Sequence, residues 1–504
     1  MIKKIKLYGV LTALAFSATS CLDKFPEDAI VAGEAISSVS EANQAIVGIY
    51  AQFKSNALYS GYLTLLPDIQ TDLVYAVEGY SNTYGDIWRW NDIKGSNANI
   101  EAVYGQLYTV IGSCNFFFQE IEKLEPKIMN DDDLDKLQMY KGEAHFARAL
   151  AYSELIKLFC KPYESAAEAE DELGVVLVSK YKGNGRLKRA SLQASYDFVL
   201  ADLAKAEKYL ALEEGYTDVL YNAGYFTIGV VNSLYARMYL YMKNWEKAVE
   251  YSSKVIDSGD YLLSSASTIY TGKDSYYSYM WNYDSSTENI WRINFETTSY
   301  GGALGRVFLN YDYTSYRPDY VPAKWVLDSY DASDLRYESI FGTATTGYAH
   351  KLTWPLLIKY YGNKNFITQN ILHVNMPKVF RLSEQYLIRA EAYCELEDYN
   401  NASKDITTLR KARYSSYGTS TSIGASTWKN LISEERVKEL YMEGFRLNDL
   451  KRWHMGFSRT SQQSTVSPGN KINVKADDVR FVWPIPQHEL ESPDADIEPN
   501  ESNK

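Results

Sequence analysis

The stretch that decides the fold occurs twice in the chain. Residues 236–256 read ARMYLYMKNWEKAVEYSSKVI, and residues 389–409 read RAEAYCELEDYNNASKDITTL. Apolar residues recur at helical spacing on both sides of a polar turn in each copy. The sequence therefore predicts two copies of one helix–turn–helix unit. A shift of 154 residues, from 236 to 390, aligns the residues that define the unit: Ala236 with Ala390, Tyr239 with Tyr393, Trp245 with Tyr399 and Ala248 with Ala402.

Each copy has the pattern of a tetratricopeptide-like helix pair. Small residues let two antiparallel helices approach closely, and an aromatic side chain fills the gap beside them. A weaker copy begins at RALAYSELIKLF, residues 148–159. Degenerate repeats of this kind build curved helical scaffolds. We expect a mainly α fold, a tetratricopeptide-like scaffold with helix pairs at about 100–160, 191–258 and 379–455.

The region between the last two helix pairs has a different composition. Residues 260–378 contain clusters of Gly, Ser, Tyr, Asn and Pro and few long periodic runs. Such a pattern indicates loops, short strands and small helices. A long irregular segment inside a compact protein is usually functional, so we expect the ligand-binding region here.

The overall charge and the histidine spacing exclude several functions. The 504 residues include 52 basic and 64 acidic ones, for a net charge of −12, whereas a nucleic-acid binder would show a basic patch or stripe. The five histidines lie too far apart for a helical two-histidine zinc motif, and there is no Gly-rich phosphate loop. We expect neither a metal nor a cofactor. Aromatic residues make up 14%, which suits wet recognition surfaces as well as cores.

The first twenty residues have the pattern of a targeting segment. Basic residues within 3–6 precede an apolar run at 7–18, which is too short to span a bilayer stably. The run ends in Ala-Thr-Ser before Cys21, as in the lipobox of bacterial lipoproteins. A plain secretory signal with an incidental Cys21 is the alternative. The expected organisation is a signal peptide at 1–20, a lipidated tether at 21–39 and a single domain at 40–504.

The most strongly patterned charged stretch is EERVKELYMEGFRLNDLKRW, residues 434–453. If it forms one helix, Glu443, Arg446, Asp449 and Arg452 follow one another at intervals of three and share a face. Alternating signs could make an anion site or an ion-pair ladder. Each cation has an acid within reach, so the stretch is interpreted as a structural ladder in which Arg446 pairs with Asp449.

Several segments together are similar to a known family. They are Cys21 with LDKFPEDAI (22–30), GEAHFARALAYSELIKLF (142–159), the repeat around Ala236, RPDYVPAKWVLDSYDASDLRYESIF (317–341), RLSEQYLIRAEAYCELEDYNNA (381–402), the charged stretch and VWPIPQHEL (482–490). In order and spacing the chain resembles the SusD/RagB family of outer-membrane nutrient-binding lipoproteins of the Bacteroidetes. One departure is the ending ESPDADIEPNESNK, where the family often has an Asn-Pro-Gly-Tyr-like tail.

The resemblance implies a cell-surface protein that is anchored in the outer membrane through lipid alone. It would bind oligosaccharides and deliver them to a TonB-dependent, SusC-like β-barrel transporter, without catalysis. Three alternatives remain open at this point. They are a family member that captures peptides, a pure assembly scaffold whose repeats bind only protein, and a surface glycosidase, which needs two convergent carboxylates.

Two aromatic clusters outside the repeats are candidates for a glycan platform, because a sugar ring has an apolar face that stacks on Trp or Tyr. They lie in EGYSNTYGDIWRWND (78–92) and DSYYSYMWNYD (274–284), and the segment around 311–320 is the second choice. The candidate platform residues are Trp88, Trp90, Tyr276, Tyr277, Trp281 and Tyr283, with Asn91, Asn282 and Asp284 as hydrogen-bonding neighbours.

Overall fold

The computed structural model describes residues 35–91, 93–181, 186–211, 220, 223–418, 420–459, 471–493 and 495–504. The predicted signal peptide, the lipidation site Cys21 and most of the tether lie outside these residues.

Helices make up most of the regular structure, as the periodicity predicts. Polar side chains such as those of Ser38, Asn97 and Asn130 cap the first turns of long helices and accept hydrogen bonds from free backbone N–H groups. The α-helices are α1 Val39–Gln52, α2 Tyr62–Ile69, α3 Gly85–Trp88, α4 Ala98–Leu124, α5 Asp131–Phe159, α6 Ala166–Asp171, α7 Leu192–Leu210, α8 Ile228–Tyr241, α9 Trp245–Ile256, α10 Tyr276–Asn282, α11 Arg306–Leu309, α12 Lys324–Asp328, α13 Arg336–Ile340, α14 Lys364–Ile367, α15 Leu382–Glu395, α16 Tyr399–Arg413, α17 Trp428–Glu439, α18 Arg446–Arg452 and α19 Gln487–Leu490.

The strands are short, and in the described parts of the chain they form two-stranded antiparallel sheets. The pairs are β1–β7, β2–β3, β4–β5, β6–β10, β8–β9 and β11–β12. Their bounds are β1 Val74–Ala76, β2 Leu173–Val176, β3 Arg189–Ser191, β4 Ile269–Thr271, β5 Asp274–Ser275, β6 Asn289–Arg292, β7 Tyr320–Pro322, β8 Phe341–Thr345, β9 Thr353–Leu357, β10 Lys378–Arg381, β11 Phe457–Arg459 and β12 Ile472–Val474.

The repeated sequence unit forms two helical hairpins, α8–α9 and α15–α16, which pack against each other through α9 and α15. The two turns have the same backbone geometry. Lys243 and Glu397 both adopt a left-handed conformation, with φ of 55° and 61°. Asn244 and Asp398 follow them and cap the second helix of each hairpin. The mainly α, tetratricopeptide-like fold is therefore confirmed.

The expectation of a single charged helix at 434–453 is wrong. Helix α17 ends at Glu439 and α18 begins at Arg446. Between them, Met442 and Gly444 take left-handed conformations with φ of 59° and 87°. A Cβ on Gly444 would lie 2.8 Å from the carbonyl oxygen of Leu63, so the turn needs glycine for space as well.

The ion pairs of this stretch are buried, but the predicted partners are partly wrong because the break reorients the second helix. Arg446 pairs with Asp72 on the distant α2–β1 connection, at 3.1 Å, rather than with Asp449. Asp449 pairs with Arg436 at 2.8 Å and with Arg452 at 2.9 Å. The charges of these residues serve the packing of α17 and α18.

Residues 260–378 contain short helices and strands, as expected, and they also have a core of their own. Buried residues of this segment pack together with residues from α2, β1 and α3 and from the turn after α17. The members include Trp88, Tyr277, Trp281, Phe308 and Tyr441. The irregular segment is therefore a packed body that lies beside the helical scaffold.

A cluster of buried ion pairs joins this body to the scaffold. Glu439, at the end of α17, contacts Arg336 of the irregular segment at 3.1 Å and Arg413, the last residue of α16, at 2.9 Å. Arg381 links Glu439 and Glu288, each at 2.8 Å. These side chains are 0–1% exposed.

Within the described residues, none of the helices combines the length and the apolar character needed to cross a membrane.

Candidate functional site

Five of the candidate residues chosen from sequence are buried and present no surface to a ligand in this structure. They are Trp88, Trp90, Tyr277, Trp281 and Asp284, with exposed fractions of 0–3%. The expectation that they form a platform is therefore corrected. The four aromatic rings fill cores, because the loop-like segments around them fold into compact bodies with interiors of their own.

The contacts of these residues show their structural role. The Trp90 indole N–H donates to the Gln70 carbonyl oxygen at 2.6 Å. The Lys359 ammonium lies 4.1 Å from the centre of the Trp281 ring. Asp284 accepts from the buried Lys378 ammonium at 2.5 Å.

The other sequence candidates are accessible. Tyr276 is exposed, Asn91 is exposed near the end of α3, and Tyr283 and Asn282 are half-buried. Tyr276 and Tyr283 belong to a set of four neighbouring rings, named here the tyrosine ridge. It consists of Tyr270, Tyr276, Tyr279 and Tyr283, with ring centres 4.9 Å apart for 270 and 276, 4.6 Å for 270 and 279, and 4.5 Å for 279 and 283.

A polar group lies beside the tyrosine ridge. Asp274 accepts from the Asn282 amide at 2.7 Å and from the Lys364 ammonium at 2.6 Å. The same ammonium lies 5.0 Å from the centre of the Tyr283 ring. The ridge therefore combines apolar ring surface with hydrogen-bonding groups that are already held in place.

A larger opening lies between the first helices and the irregular segment. This feature, named here the Tyr84–Tyr300 cavity, has a volume of about 770 Å³, which is within the range of small-molecule sites. Its polar lining residues carry hydroxyl, amide and charged groups. The side chains that line it include Lys54, Ser55, Asn56, Ser60, Ser81, Thr83, Tyr84, Tyr300, Arg306, Asn310 and Asp319.

Glycines let the two main walls of the cavity approach each other. A Cβ on Gly301 would lie 2.4 Å from the Lys54 carbonyl oxygen, and one on Gly302 would lie 2.5 Å from the Ser60 carbonyl oxygen. The Ser60 hydroxyl donates to the Lys54 carbonyl at 2.7 Å and accepts from the Gly302 N–H at 2.8 Å. The close approach of the segments 54–61 and 299–302 thus depends on residues without side chains.

The loop before α3 forms another part of the cavity wall, and Asp319 fixes its position. Its Oδ1 accepts from the Ser81 backbone N–H at 2.7 Å, which fixes the loop before α3. Burial raises the pKa of the Asp319 carboxyl, while its hydrogen bonds to Ser81 and Thr83 oppose the rise. Tyr84 follows in a left-handed conformation with φ of 58°, and its ring contacts that of Tyr62.

The cavity and the tyrosine ridge are linked through α14. Phe366 of this helix has its ring centre 6.3 Å from that of Tyr300 at the cavity, and Lys364 contacts Tyr283 of the ridge. Helix α14 therefore contacts both the cavity and the tyrosine ridge.

A second cavity, of about 360 Å³, lies where the end of α5 meets the last residues of the chain. Its buried cation, Lys451, donates to the carbonyl oxygens of Lys157 and Cys160 at 2.6 and 2.8 Å. Burial lowers the pKa of Lys451 to about 8. This lysine completes the carboxyl end of α5, so its charge has a structural explanation.

Sequence reasoning missed most of the cavity. Tyr84 lies in the first aromatic cluster but is not among the candidates, and Tyr300 and Arg306 fall in neither cluster. Asp319 lies in the second-choice segment, 311–320. The signal that could have found Tyr300 is the sequence Ser-Tyr-Gly-Gly at 299–302, where two glycines follow an aromatic residue in a loop.

The structure is that of a helical-repeat protein with an open, hydroxyl-lined cavity between its first helices and an irregular segment. Comparison with known proteins gives the family. Residues 234–495, more than half of the chain, match the model described as SusD family. Residues 21–240 match a model described as starch-binding associating with outer membrane. The chain belongs to the SusD family.

Individual relatives are distant but extend over the whole length. Two proteins of Formosa agariphila, named SusD-like protein P2 and SusD-like protein P25, are 24% and 23% identical. The first alignment covers 97% of each protein, and the second covers 89% of this chain and 90% of the relative.

Solved structures agree in fold. A SusD superfamily protein from Bacteroides thetaiotaomicron has a TM-score of 0.76 at 23% identity, covering 92% of this chain and 99% of its own. A structure titled putative sugar binding protein, from Bacteroides vulgatus, has a TM-score of 0.75 at 22% identity, covering 93% and 100%.

Proposed function

We propose that this protein captures oligosaccharides at the cell surface and that the Tyr84–Tyr300 cavity is the binding site. The observation that carries the proposal is the composition of the cavity, two tyrosines among hydroxyl and amide side chains. A sugar presents an apolar ring face and a rim of hydroxyls, and this lining offers partners for both. The family match and the sugar-binding description of the Bacteroides vulgatus protein support the same function.

The tyrosine ridge is proposed as a secondary contact for longer chains. Tyr276, Tyr283 and Asn282 are the sequence candidates that remain accessible there. Its position beyond α14 supports contact with sugar units that extend out of the cavity. Asn91 does not line the cavity. It stays a prediction from sequence, with no contact to the oligosaccharide proposed for it.

Capture is favoured over hydrolysis by the charged groups of the cavity. Glycosidases use a pair of carboxyl groups that flank the bond to be broken. Among the described residues that line the cavity, Asp319 is the single carboxylate, and its Oδ1 is already engaged by Ser81. The proposed activity is therefore binding without turnover.

The proposal includes an anchor and a partner. Lipidation of Cys21 would hold the protein on the outer face of the outer membrane. The second family description, starch-binding associating with outer membrane, supports a location at this membrane. A TonB-dependent, SusC-like β-barrel transporter would then receive the captured oligosaccharide. Several acyl chains on one residue anchor far more durably than a single chain.

A glycan screen followed by calorimetry tests the binding site. Tyr300→Ala should weaken the best ligand by one to two decades, because stacking on an aromatic ring contributes about 1–3 kcal/mol in comparable base-stacking systems. Tyr313→Ala is the matched control, since Tyr313 is exposed but does not line the cavity. Unchanged affinity in Tyr300→Ala, with the melting temperature preserved, would place the site elsewhere.

The anchor is tested separately by fractionation of cells. Cys21→Ala should move the protein out of the membrane fraction and abolish incorporation of labelled fatty acid. Retention of the variant in the membrane, still accessible to protease on whole cells, would contradict lipid anchoring.

A further inference from the structure

The charge of the Tyr84–Tyr300 cavity is opposite to that of the protein. The chain as a whole carries a net charge of −12. The described lining of the cavity nevertheless has two cations, Lys54 and Arg306, against one carboxylate, Asp319. This excess of positive charge favours a negatively charged occupant.

The two cations of the cavity lack acidic partners. The Lys54 ammonium donates to the Ser299 hydroxyl at 3.2 Å and to the Ser299 carbonyl oxygen at 3.4 Å, and both are neutral groups. Arg306 is exposed at the start of α11. Within the described ranges, neither side chain has a carboxylate oxygen closer than 4 Å, since no such salt bridge occurs.

Asp319 does not neutralise the cavity by direct pairing. Its Oδ1 is taken by the Ser81 N–H, and the side chain is buried. Arg306 is near enough to act on the pKa of Asp319 but makes no ion pair with it. The guanidinium therefore keeps its planar, bidentate donor face available, which matches a carboxylate or a sulfate.

We propose that the cavity selects oligosaccharides that carry carboxylate or sulfate groups, with Arg306 as the principal contact for the negative charge and Lys54 in support. This inference rests on the proposed function, because it names the class of sugar that the same site takes. The tyrosines would stack on the sugar rings while the cations bind the acidic substituents. An acidic peptide would satisfy the cations but makes less use of a lining rich in hydroxyls and tyrosines.

Calorimetry on the purified full chain with three matched ligands tests the selectivity. The ligands are an oligogalacturonate, a sulfated galactose oligosaccharide and a neutral galacto-oligosaccharide of equal length. At least one anionic ligand should bind ten or more times more tightly than the neutral one. The advantage should shrink as salt rises from about 0.05 M to about 0.5 M, because salt screens exposed charges.

Variants of Arg306 identify the contact. Arg306→Gln should weaken the preferred anionic ligand at least tenfold and by a larger factor than the neutral ligand, and Arg306→Lys should recover part of the loss. Lys411→Gln is the control for the change in net charge, since Lys411 is an exposed lysine in the last turn of α16, outside the cavity. Melting temperatures verify that the exposed site tolerates each change.

The outcomes separate this inference from the proposed function. A preference for the carboxylate or the sulfate ligand supports the inference and names the acidic group. Equal binding of neutral and anionic ligands, with Arg306→Gln weakening both alike, overturns the selectivity and leaves oligosaccharide capture standing. Binding of a hexaglutamate peptide without binding of any of the three sugars overturns both.

Discussion

Arg336, Arg381 and Arg413 each contact at least two carboxylates in the core, whereas Lys54 and Arg306 at the cavity contact none among the described residues. Both groups lie at the boundary between the irregular segment and the helices around it. Burial explains the first arrangement, because a charge removed from water needs a partner. Solvent reaches the second, so its charges can remain unpaired until a ligand binds.

The ion-pair cluster and the cavity have different roles in the molecule. The ion-pair cluster around Glu439 fixes how the irregular segment sits on the scaffold, and the cavity uses the surface that results. Substitutions in the cluster should therefore act on folding, and substitutions in the cavity should act on binding.

Glu439→Ala should have the largest effect on stability. It leaves three buried arginines without a shared carboxylate, and removal of one partner from a buried pair typically costs about 3–5 kcal/mol. Denaturant unfolding measures the loss. Glu122→Ala on α4 is the control, since this glutamate is exposed, and it should change stability by less than about 0.5 kcal/mol. Similar losses in both variants would remove the distinction.

The pH dependence of stability should reveal the same cluster through Glu435. Burial raises the pKa of this carboxyl, but Arg336, Lys438 and Arg410 outweigh it and lower the pKa to about 2 from an ordinary 4.5. A lowered pKa stabilises the fold above the unfolded value, and the contribution is lost as pH falls from about 4.5 toward 2. Glu435→Gln should lose about 3 kcal/mol at pH 7 and show a shallower acid transition. Parallel acid profiles would contradict the assignment.

Gly301→Ala should damage folding and binding together, because it separates the walls of the cavity. The added methyl group would meet the Lys54 carbonyl at 2.4 Å and the Ser60 hydroxyl at 2.6 Å. Overpacking of this kind costs about 1–3 kcal/mol. The control is Gly105→Ala in the interior of α4, where nothing lies within 4 Å and the fold should be stabilised slightly. If Gly301→Ala retained both stability and affinity, the close approach would be irrelevant to the site.

Tyr276→Ala should have the smallest effect. The side chain is exposed on the tyrosine ridge, so the free energy of unfolding should change by less than about 0.5 kcal/mol. Affinity should fall several-fold for long oligosaccharides and stay constant for short ones that fill only the cavity. Equal effects on long and short ligands would show that the ridge is part of the primary binding site, which contradicts a secondary role.

The scaffold was predictable from sequence because the apolar residues of a packed helix recur at a regular spacing along the chain. Ala236 and Ala390, with the aromatics beside them, identify both hairpins and even their matching turns. The helix break at Gly444 was also signalled, since a glycine inside a helical pattern lowers the expectation of continuity. The ion-pair partner of Arg446 was not predictable, because Asp72 is more than 370 residues away in sequence.

The site was less predictable for a physical reason. An irregular segment has no fixed period, so sequence cannot show which of its aromatics point inward. Trp88 and Trp281 look as suitable for sugar stacking as Tyr300 does, but the first two fill the core of the segment. Only the folded structure reveals that the segment has its own interior, and that exposure falls to Tyr276 and Tyr300.

A crystal structure of the protein with its tightest-binding oligosaccharide tests the site most directly. The account predicts a sugar ring packed on Tyr84 or Tyr300 inside the cavity, with an acidic substituent within hydrogen-bond distance of Arg306. An oligosaccharide ordered at another surface, with the cavity filled by solvent, would contradict it.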